Sequence, residues 1–406
     1  MILVSISERN EVIKLNILLG VSSGIAIYKA VDLASKIRKQ GWNLQVIMTE
    51  NASKLINPIV FSSVGNCKVY TDTYEIESGW IIHTELSKWA DVFIIAPATA
   101  NTIAKLANGL ADNLLTTTAL AFDKGKKIVV PTMNTRMYEN QITQENIEKL
   151  GKLGWKILNP ESGHLACGEV GKGRYPENEK IIEFIKIVSE EKPLEGKKVL
   201  VTAGPTVESI DPVRYISNHS SGKMGYSIAT VAKRLGADVT LITGPTCIEY
   251  PFFMDEIVSI KSAEEMYKAV LSKKDNYDIL IMCAAVADYK PKVSAQQKIK
   301  KSAETLTIEL EKNPDILETI GHSKKENQIV VGFAAETENI IENGYEKLVR
   351  KNADVIVAND ARTAMGNDRN HVYIIFKNNS IVELEGTKEE IAKELLIKLC
   401  KVLQES

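Results

Sequence analysis

Short apolar runs alternate with amphipathic segments along most of the chain. Leu15–Val21 is a strand-sized apolar run, and residues 25–40 carry apolar side chains at helical spacing. Another apolar run follows at Leu44–Met48. Further along, Val92–Ala96 and Lys127–Val130 are each followed by a proline and a helical pattern. Such uninterrupted runs are typical of parallel strands that helices cover on both faces.

The alternation restarts after a charged stretch that contains proline and glycine. The strand-like runs that follow are Val199–Ala203, Val239–Thr243, Ile279–Cys283, Ile329–Phe333 and Val355–Ala358. Val372–Phe376 and Ile381–Leu384 flank two asparagines and predict a hairpin, and a final helix is predicted over Lys388–Leu403. We therefore predict an α/β fold with two open, Rossmann-like, three-layer α/β/α domains, residues 1–190 and 191–406. Ligands are expected at the carboxyl ends of the strands.

Composition narrows the class of protein. The chain has 50 basic and 52 acidic residues, a net charge of −2, which gives no support for binding nucleic acid or an anionic membrane. The five cysteines are scattered without a CxxC pair, which argues against a disulfide framework or structural zinc. No apolar run approaches the ~20 residues of a membrane-spanning helix. The start of the chain lacks a signal-peptide layout and is interpreted as a short extension. We expect a cytoplasmic protein.

A loop rich in glycine and serine joins the first predicted strand to the first predicted helix. In Gly20-Val-Ser-Ser-Gly24, backbone N–H groups and the two serine hydroxyls can face an anion, usually a phosphate. The alternative is that a serine only caps the helix. The loop is not a GxGxxG fingerprint, and no acidic residue closes the next strand. A mononucleotide therefore fits better than NAD.

Polar residues follow two more strands at the same predicted edge, in Ala96–Asn101 and Pro131–Met137. Within the second segment, Asn134 can bind an amide or a carboxylate, or it is a turn residue. His83 is either a base or a packed side chain. Cys167 lies in a glycine-dense stretch, where a thiol can act as an acid or be incidental.

Together these segments resemble the flavin-dependent cysteine decarboxylases, specifically the phosphopantothenoylcysteine decarboxylases. GVSSGIA, the run from His83 to Asp91, APATAN, PTMNTRMY and ACGEVGKGR occur in that family's order across the first half. The resemblance implies a flavodoxin-like domain that binds FMN. The implied FMN contacts are Ser22, Ser23 and Gly24 for the phosphate, and Ala96, Pro97, Ala98, Thr99 and Asn101 near the isoalloxazine ring. The resemblance also implies His83 as the active-site histidine, Asn134 as the holder of the substrate carboxylate and Cys167 as the proton donor. Ser23 departs from the glycine that many members of the family carry, and its hydroxyl can add a phosphate contact.

The second half contains a long polar segment, Thr202–Gly225. Its glycines permit close approach of a phosphate, and Arg214 and Lys223 carry positive charge. A surface loop is the alternative, but a run of this length in a compact domain is expected to be functional. Asp288 follows a predicted strand and can orient a nucleotide or a metal, or cap a turn. Lys298–Lys301 can bind phosphates or form a solvated face.

The segments DPVRYISNHSSGKMG, CAAVADY, KIKK, KNPDI, VGFAAET and VANDA resemble, in order, the phosphopantothenate–cysteine ligases, which occur fused to the decarboxylases. The resemblance implies that CTP activates 4′-phosphopantothenate as an acyl-cytidylate, with Mg²⁺ on the triphosphate, and that cysteine then displaces CMP. The implied nucleotide-binding residues are Ala284, Asp288, Lys298, Asn313, Pro314, Asp315, Ile316, Phe333, Lys347 and Lys351. Arg214 and Asn218 are implied to hold the substrate and the intermediate, and Asn218 and Lys298 to be catalytic. Lys347 and Lys351, four residues apart on a predicted helix, can both reach one phosphate chain.

The fusion predicts that the ligase product, 4′-phosphopantothenoylcysteine, is the substrate of the decarboxylase. Three alternatives stay open: a chain with one active half, a flavoprotein-like regulatory subunit, and a nicotinamide oxidoreductase. His83, Asn134 and Cys167 together argue against the regulatory subunit, and a dinucleotide fingerprint is not found. The residue types in these motifs do not show whether the nucleotide substrate is CTP or ATP. The resemblance also implies a homo-oligomer, with decarboxylase trimers joined through ligase dimers into a dodecamer.

Overall fold

The computed structural model describes residues 2–3, 14–73, 81–165, 168–300, 305–360, 362 and 366–405, so Cys167 lies outside the described residues. The chain divides into two compact units, residues 11–189 and residues 190–406 together with 1–10. The start of the chain, interpreted above as an extension, contributes strand β1 (Ile2–Leu3). This strand pairs in parallel with Val382 and Glu383 of the second unit.

The first unit is built on a parallel sheet. Its elements are β2 (Asn16–Val21), α1 (Ile27–Lys39), β3 (Asn43–Met48), α2 (Glu50–Leu55), α3 (Pro58–Gly65), β4 (Lys68–Tyr70), α4 (Ile82–Trp89), β5 (Val92–Ala98), α5 (Ala100–Asn108), α6 (Leu114–Ala121), β6 (Lys126–Pro131), α7 (Thr135–Glu139), α8 (Gln141–Lys152), β7 (Lys156–Ile157), β8 (Glu161–His164), β9 (Val170–Arg174) and α9 (Asn178–Ser189). The sheet has the order β4-β3-β2-β5-β6-β7, and β8 and β9 form a separate antiparallel hairpin.

Helices cover both faces of this sheet, as the apolar runs predict. Every residue of β5 is buried. Phe93 and Ile95 belong to the core cluster under α4, α5, α6 and α8, and α1 contacts β2, β3 and β5. The sequence pattern ended this strand at Ala96, but the structure continues it to Ala98. A proline lacks the N–H of a strand residue but keeps its carbonyl, and Pro97 O accepts hydrogen bonds from Ser22.

The second unit is built on a larger, mixed sheet. Its elements are β1, β10 (Lys198–Ala203), β11 (Val207–Ser209), β12 (Tyr215–Ser217), α10 (Lys223–Arg234), β13 (Asp238–Thr243), β14 (Glu256–Ser259), α11 (Ala263–Lys273), a 3₁₀ turn (Lys274–Asn276), β15 (Ile279–Met282), β16 (Tyr289–Pro291), β17 (Leu310–Lys312), α12 (Ile316–Ser323), β18 (Ile329–Glu336), α13 (Ile340–Arg350), β19 (Val355–Asp360), β20 (Arg369–Phe376), β21 (Ile381–Thr387) and α14 (Lys388–Glu405). The sheet has the order β1-β21-β20-β19-β18-β15-β10-β13-β14.

Alternate residues of the central strand β10 enter two different cores. Val199 and Val201 pack in the cluster that contains α10 and α14, whereas Leu200 packs with α11, α12 and α13. The unit therefore has three layers. The predicted hairpin is present as the antiparallel pair β20–β21. The predicted α/β class is confirmed, and the first sheet has the 3-2-1-4-5-6 strand order of a Rossmann-like fold.

Glycines end two corresponding helices. Gly41 follows α1 with φ +80°, and Gly236 follows α10 with φ +98°, a backbone region that other residues rarely adopt. Each glycine lets the chain turn back into the next parallel strand. Within the described ranges, none of the helices is both long enough and apolar enough to cross a bilayer.

Candidate active sites

The main sheet of each unit has one point where the strand order changes direction. Predicted site segments follow the strands on either side of this point. In the first unit this point lies between β2 and β5, and in the second between β10 and β15. Crevices for ligands form at such points, outside the carboxyl ends of the strands. The residues that follow these four strands therefore define two candidate sites.

The predicted phosphate loop contacts the segment that follows β5. Ser22, 1% exposed, donates its hydroxyl proton to Pro97 O at 2.8 Å and accepts from Thr99 N at 3.0 Å. That proton is therefore already used inside the protein, and Ser22 holds the two segments together. Ser23 is only partly buried, and its hydroxyl makes no hydrogen bond to the residues that the structure describes. The donors left for a phosphate are the Ser23 hydroxyl and backbone N–H groups.

The third predicted segment joins the same edge through β6. Ala98 pairs with Pro131, and Thr132 N donates to Ala98 O at 3.0 Å. Thr99 is the N-cap residue of α5, and Asn101 lies exposed in the first turn of this helix. The segments after β2, β5 and β6 thus form one continuous edge, as the sequence predicts for parallel strands.

The Asn134 side chain is held by two hydrogen bonds, one that its oxygen accepts and one that its nitrogen donates. Its Oδ1 accepts from Arg136 N at 2.9 Å and caps α7, and its Nδ2 donates to Glu169 Oε2 at 2.7 Å. Arg136 Nη2 lies 3.0 Å from Glu169 Oε1. Glu169 and Arg136 were not predicted as site residues, because neither residue type is unusual in its segment. The only signal is their position inside the two motifs.

Strands β8 and β9 contain three of the glycines of the glycine-dense stretch, and β9 lies directly on the Asn134 segment. A Cβ at Gly171 would come within 2.4 Å of Thr135 Oγ1, and one at Gly173, whose φ is +144°, within 2.2 Å of Met133 O. Met133 N donates to Gly173 O at 3.1 Å. The glycines are therefore needed for close packing of β9.

His83 lies in the first turn of α4. Its Nδ1 is buried and has no hydrogen-bond partner among the described residues. A buried ring nitrogen without a partner is costly unless a ligand supplies one. The orphaned His83 nitrogen and the available Ser23 hydroxyl are each compatible with a bound polar cofactor such as FMN.

The second site is a cavity at the β10–β15 crevice. It is lined by Thr202, Met282, Ala284, Val286, Ala287, Asp288, Lys312, Asn313, Pro314, Asp315, Ile316, Leu317, Phe333, Lys347 and Lys351. Nine of the ten residues predicted to bind a nucleotide are in this lining. The tenth, Lys298, is exposed and outside it.

Asn313, which lines this cavity, has a buried side-chain oxygen that is not used as an acceptor by the described residues. Its backbone N donates to Asp288 O at 2.8 Å, and its Nδ2 donates to Ala287 O at 2.9 Å. Its Oδ1 is buried without a partner within the described part of the chain. A ligand N–H group at this position would remove the cost of the unpaired oxygen.

The two lysines of the cavity have different surroundings. Burial lowers the pKa of Lys347, whose Nζ donates to Phe333 O at 2.8 Å. Burial also acts on Lys351, but its contacts with Asp315 (2.5 Å) and Glu318 (2.7 Å) prevail and raise its pKa. Lys351 therefore holds the start of α12 in place. Lys347 forms no ion pair within 4 Å in the described part of the chain, although the charges of Glu336, Asp315 and Asp288 act on it.

Asn218 and Arg214 lie on the polar segment beside the cavity. Asn218 Nδ2 donates to Ala285 O at 2.9 Å, next to the cavity lining. Arg214 Nη2 donates to Asp211 Oδ2 at 2.5 Å and to Ile299 O at 2.9 Å. The guanidinium therefore anchors the segment that carries Lys298, and it holds the pKa of Asp211 far below its usual range. Asp211 was not predicted as a site residue.

Metal ligands are not gathered in the described ranges: no group of three or more His, Cys, Asp and Glu side chains there can hold a metal ion.

Comparison with known proteins identifies the two units. The family model named Flavoprotein matches residues 5–189, and the model for the DNA/pantothenate metabolism flavoprotein C-terminal domain matches residues 194–403. The chain is thus a flavoprotein domain followed by a pantothenate-metabolism domain. It is 46% identical to the coenzyme A biosynthesis bifunctional protein CoaBC of Bacillus subtilis (strain 168), over 94% of this chain and 95% of that protein. It is 41% identical to CoaBC of Escherichia coli (strain K12), over 94% and 95%. The chain belongs to the family of bifunctional coenzyme A biosynthesis proteins, which confirms the resemblance found in the motifs.

Two solved structures match separate parts of the chain. The C-terminal domain of a CoaBC protein is 43% identical, with a TM-score of 0.46, over 53% of this chain and 100% of that chain. A cysteine-to-serine mutant of PPC decarboxylase, complexed with pantothenoylaminoethenethiol, is 30% identical, with a TM-score of 0.40, over 43% and 97%.

Proposed function

We propose that this chain uses CTP to ligate cysteine to 4′-phosphopantothenate, and then uses FMN to decarboxylate 4′-phosphopantothenoylcysteine to 4′-phosphopantetheine. The observation that carries the proposal is the cavity of the second unit. Residues from separate segments line it together: Ala284, Val286–Asp288, Asn313–Ile316, Phe333, Lys347 and Lys351. Family membership of both units supports the pairing of the two activities.

In the first unit, the Ser23 hydroxyl and loop N–H groups would hold the FMN phosphate, and His83 Nδ1 would gain a partner at the site. When bound, FMN supplies a reversible two-electron acceptor for the cysteine part of the substrate. Asn134 Nδ2 donates to the substrate carboxylate and orients it for loss as CO₂. The Cys167 thiol then supplies the proton that completes the product.

In the second unit, Lys347 and the backbone of Asn313–Ile316 hold the nucleotide. Asn313 Oδ1 accepts a hydrogen bond from the base. Mg²⁺ would enter with the triphosphate of CTP and would neutralise part of its charge. Asn218 retains a second amide N–H for the acyl intermediate, because only one of its two protons is donated to Ala285 O. Lys298 would close over the site from its exposed segment, which Arg214 anchors.

The predicted homo-oligomer, with decarboxylase trimers joined through ligase dimers into a dodecamer, is retained as part of the proposal. So is a cytoplasmic location, which agrees with the free thiols of Cys67, Cys247, Cys283 and Cys400. Light scattering coupled to size exclusion, on the FMN-loaded protein, measures the assembly directly.

The proposed function is tested by following products. Purified protein is incubated with 4′-phosphopantothenate, cysteine, CTP, Mg²⁺ and FMN, and the mixture is examined by mass spectrometry. We expect 4′-phosphopantetheine, CMP and pyrophosphate. Omission of CTP should remove every product, and ATP in place of CTP tests nucleotide choice. If 4′-phosphopantothenoylcysteine is the final product, only the ligase half is active.

The first unit should bind FMN and report it through tryptophan. All four tryptophans of the sequence lie in the first half, and Trp42 and Trp155 are about 95% buried there. We expect a yellow protein whose tryptophan fluorescence falls strongly on FMN binding and changes little with CTP. Absorption and emission spectra measure this. A colourless protein that takes up no added FMN, or a large response to CTP alone, would contradict the assignment of the two units.

Changes at Lys298 and Asn218 should damage ligation and spare decarboxylation. Lys298→Gln removes a mobile charge, and Asn218→Asp places a carboxylate beside Ala285 O. Each should lower ligation at least ~10-fold, since a charged hydrogen bond contributes about 1.5–3 kcal/mol. Pyrophosphate release without cysteine and CMP release with it separate the two steps.

The matched control for Lys298 is Lys300→Gln, which changes an exposed lysine of the same segment. Lys300→Gln should retain more ligation than Lys298→Gln. Equal rates for the two variants would show that Lys298 has no special role.

A further inference from the structure

A carboxylate of the chain itself lies where the proposed function puts the carboxylate of the substrate. Asn134 Nδ2 donates to Glu169 Oε2 at 2.7 Å, and Arg136 Nη2 lies 3.0 Å from Glu169 Oε1. Each carboxylate oxygen therefore has its own donor. This is the pattern that a bound carboxylic acid would adopt with the same two side chains.

The orientation of the Asn134 amide does not depend on Glu169. Its oxygen accepts from Arg136 N at 2.9 Å, and this contact with a backbone donor fixes which end of the amide faces the site. The NH₂ group is consequently aimed at the position of the Glu169 carboxylate. Removal of that carboxylate would leave the amide held in the same orientation by Arg136 N.

The backbone of the hairpin brings Glu169 to this position. Met133 N donates to Gly173 O at 3.1 Å, and Gly171 and Gly173 allow β9 to lie against residues 133–135. Glu169 immediately precedes β9. The packed main chain of β9 therefore places Glu169 beside Asn134.

We propose that Glu169 is a resident competitor for the substrate carboxylate at Asn134 and Arg136. The inference rests on the proposed role of Asn134. A ligand that carries a carboxylate must displace Glu169, so that one anion replaces another on the same donors. A ligand without the carboxylate binds with Glu169 still in place. The apparent affinity for the substrate is therefore reduced by the fraction of molecules in which Glu169 occupies the site.

Asn134 accounts for most of the expected effect. The Arg136 side chain is 85% exposed, and exposed ion pairs contribute little. Weakening the contact between Glu169 and Asn134 should therefore raise the affinity for a carboxylate ligand by about three- to tenfold, which is the net contribution of one ordinary hydrogen bond. Affinity for a ligand that lacks the carboxylate should not change.

Calorimetric titration of the FMN-loaded full-length protein tests this with two unreactive probes. The first is 4′-phosphopantothenoylserine, in which a hydroxyl replaces the reactive thiol. The second is 4′-phosphopantothenoylethanolamine, which differs from it only by loss of the carboxylate. Glu169→Gln and Glu169→Ala should bind the serine compound more tightly than the unaltered protein, with the larger gain for alanine, and should bind the ethanolamine compound equally.

The control variant is Glu161→Gln, which removes the same charge from the same hairpin but from a carboxylate that contacts Lys180. It should leave both affinities unchanged. Weaker binding of the serine compound to Glu169→Gln, or equal changes for both probes, would overturn the competition. A serine-compound affinity that does not change in either Glu169 variant would overturn it too.

Asn134→Asp separates this inference from the proposed function. If Asn134→Asp leaves binding of the serine compound intact, the proposed role of Asn134 is wrong and the competition fails with it. If Asn134→Asp weakens that binding while the Glu169 variants behave like the unaltered protein, only the competition is wrong. Retention of FMN absorbance by each variant shows that the first unit is folded.

Discussion

Replacement of Asp211 by asparagine is expected to lower ligation at least ~10-fold and to leave decarboxylation unchanged, because several strong hydrogen bonds to one ionised group are affected together. Asp211 Oδ1 accepts from Val213 N and Arg214 N, both at 2.8 Å. Its Oδ2 accepts from Arg214 Nη2 at 2.5 Å and from Ile299 N at 3.1 Å. An asparagine would turn an NH₂ group toward one of these sets of donors.

The effect should reach the active site through Lys298. Arg214 and Asp211 hold the backbone of Ile299, and Lys298 is its neighbour in sequence. Loss of this anchor should raise the KM for CTP and lower the rate of acyl-cytidylate formation. The pKa of Asp211 lies far below its usual range, so the carboxylate is ionised at every working pH, and the asparagine variant should be impaired throughout.

Two further variants sharpen this test. Arg214→Lys keeps the charge but loses the planar fork, and it should fall between Asp211→Asn and the unaltered protein. Asp275→Asn removes an exposed carboxylate of the same unit and should retain full ligation. Thermal unfolding of each variant distinguishes a misplaced Lys298 from a less stable unit. Normal coupled synthesis by Asp211→Asn would refute the anchoring role.

Much of the fold follows from local sequence patterns. Runs such as Val199–Val201 are apolar without interruption because both faces of β10 are buried. This property is visible in the sequence before the packing partners are known. The hairpin of β20 and β21 is equally visible from its asparagine turn. The short strand β1 is different: two apolar residues give no period, and nothing in them indicates pairing with Val382 and Glu383.

The candidate site residues likewise fall into two groups: those that the sequence could predict and those that it could not. Residues such as Asn134 and Asn313 could be predicted as candidates because they stand in motifs that resemble known families. The contacts of Asp211 with Ile299, 88 positions away, and of Asn134 with Glu169, 35 positions away, could not. Acidic residues are common in loops, and which donor a carboxylate meets depends on how distant segments pack. Sequence alone therefore indicated the chemistry of Arg214 but missed that its charge is already paired.

The second large effect is expected at Cys167, whose replacement by serine should abolish synthesis of 4′-phosphopantetheine. A thiol has a pKa near 8.5, whereas an alcohol is a far weaker acid, so serine cannot supply the last proton at a comparable rate. General acids contribute about 10²–10⁴-fold, and a loss of at least ~10²-fold is expected. Ligation, which belongs to the second unit, should continue at its normal rate.

The products of Cys167→Ser should show where the reaction stops. Because oxidation and loss of CO₂ precede the protonation assigned to Cys167, CO₂ should still be released, and an oxidised enethiol should accumulate instead of the product. Trapped CO₂ and mass spectrometry measure the two. Cys67→Ser is the control: Cys67 is another thiol of the same unit, burial raises its pKa to about 11, and its sulfur contacts Phe61 O, so its loss should leave both activities intact. If Cys167→Ser makes 4′-phosphopantetheine at the normal rate, the proton comes from another group. If it releases no CO₂, Cys167 acts before decarboxylation rather than after it.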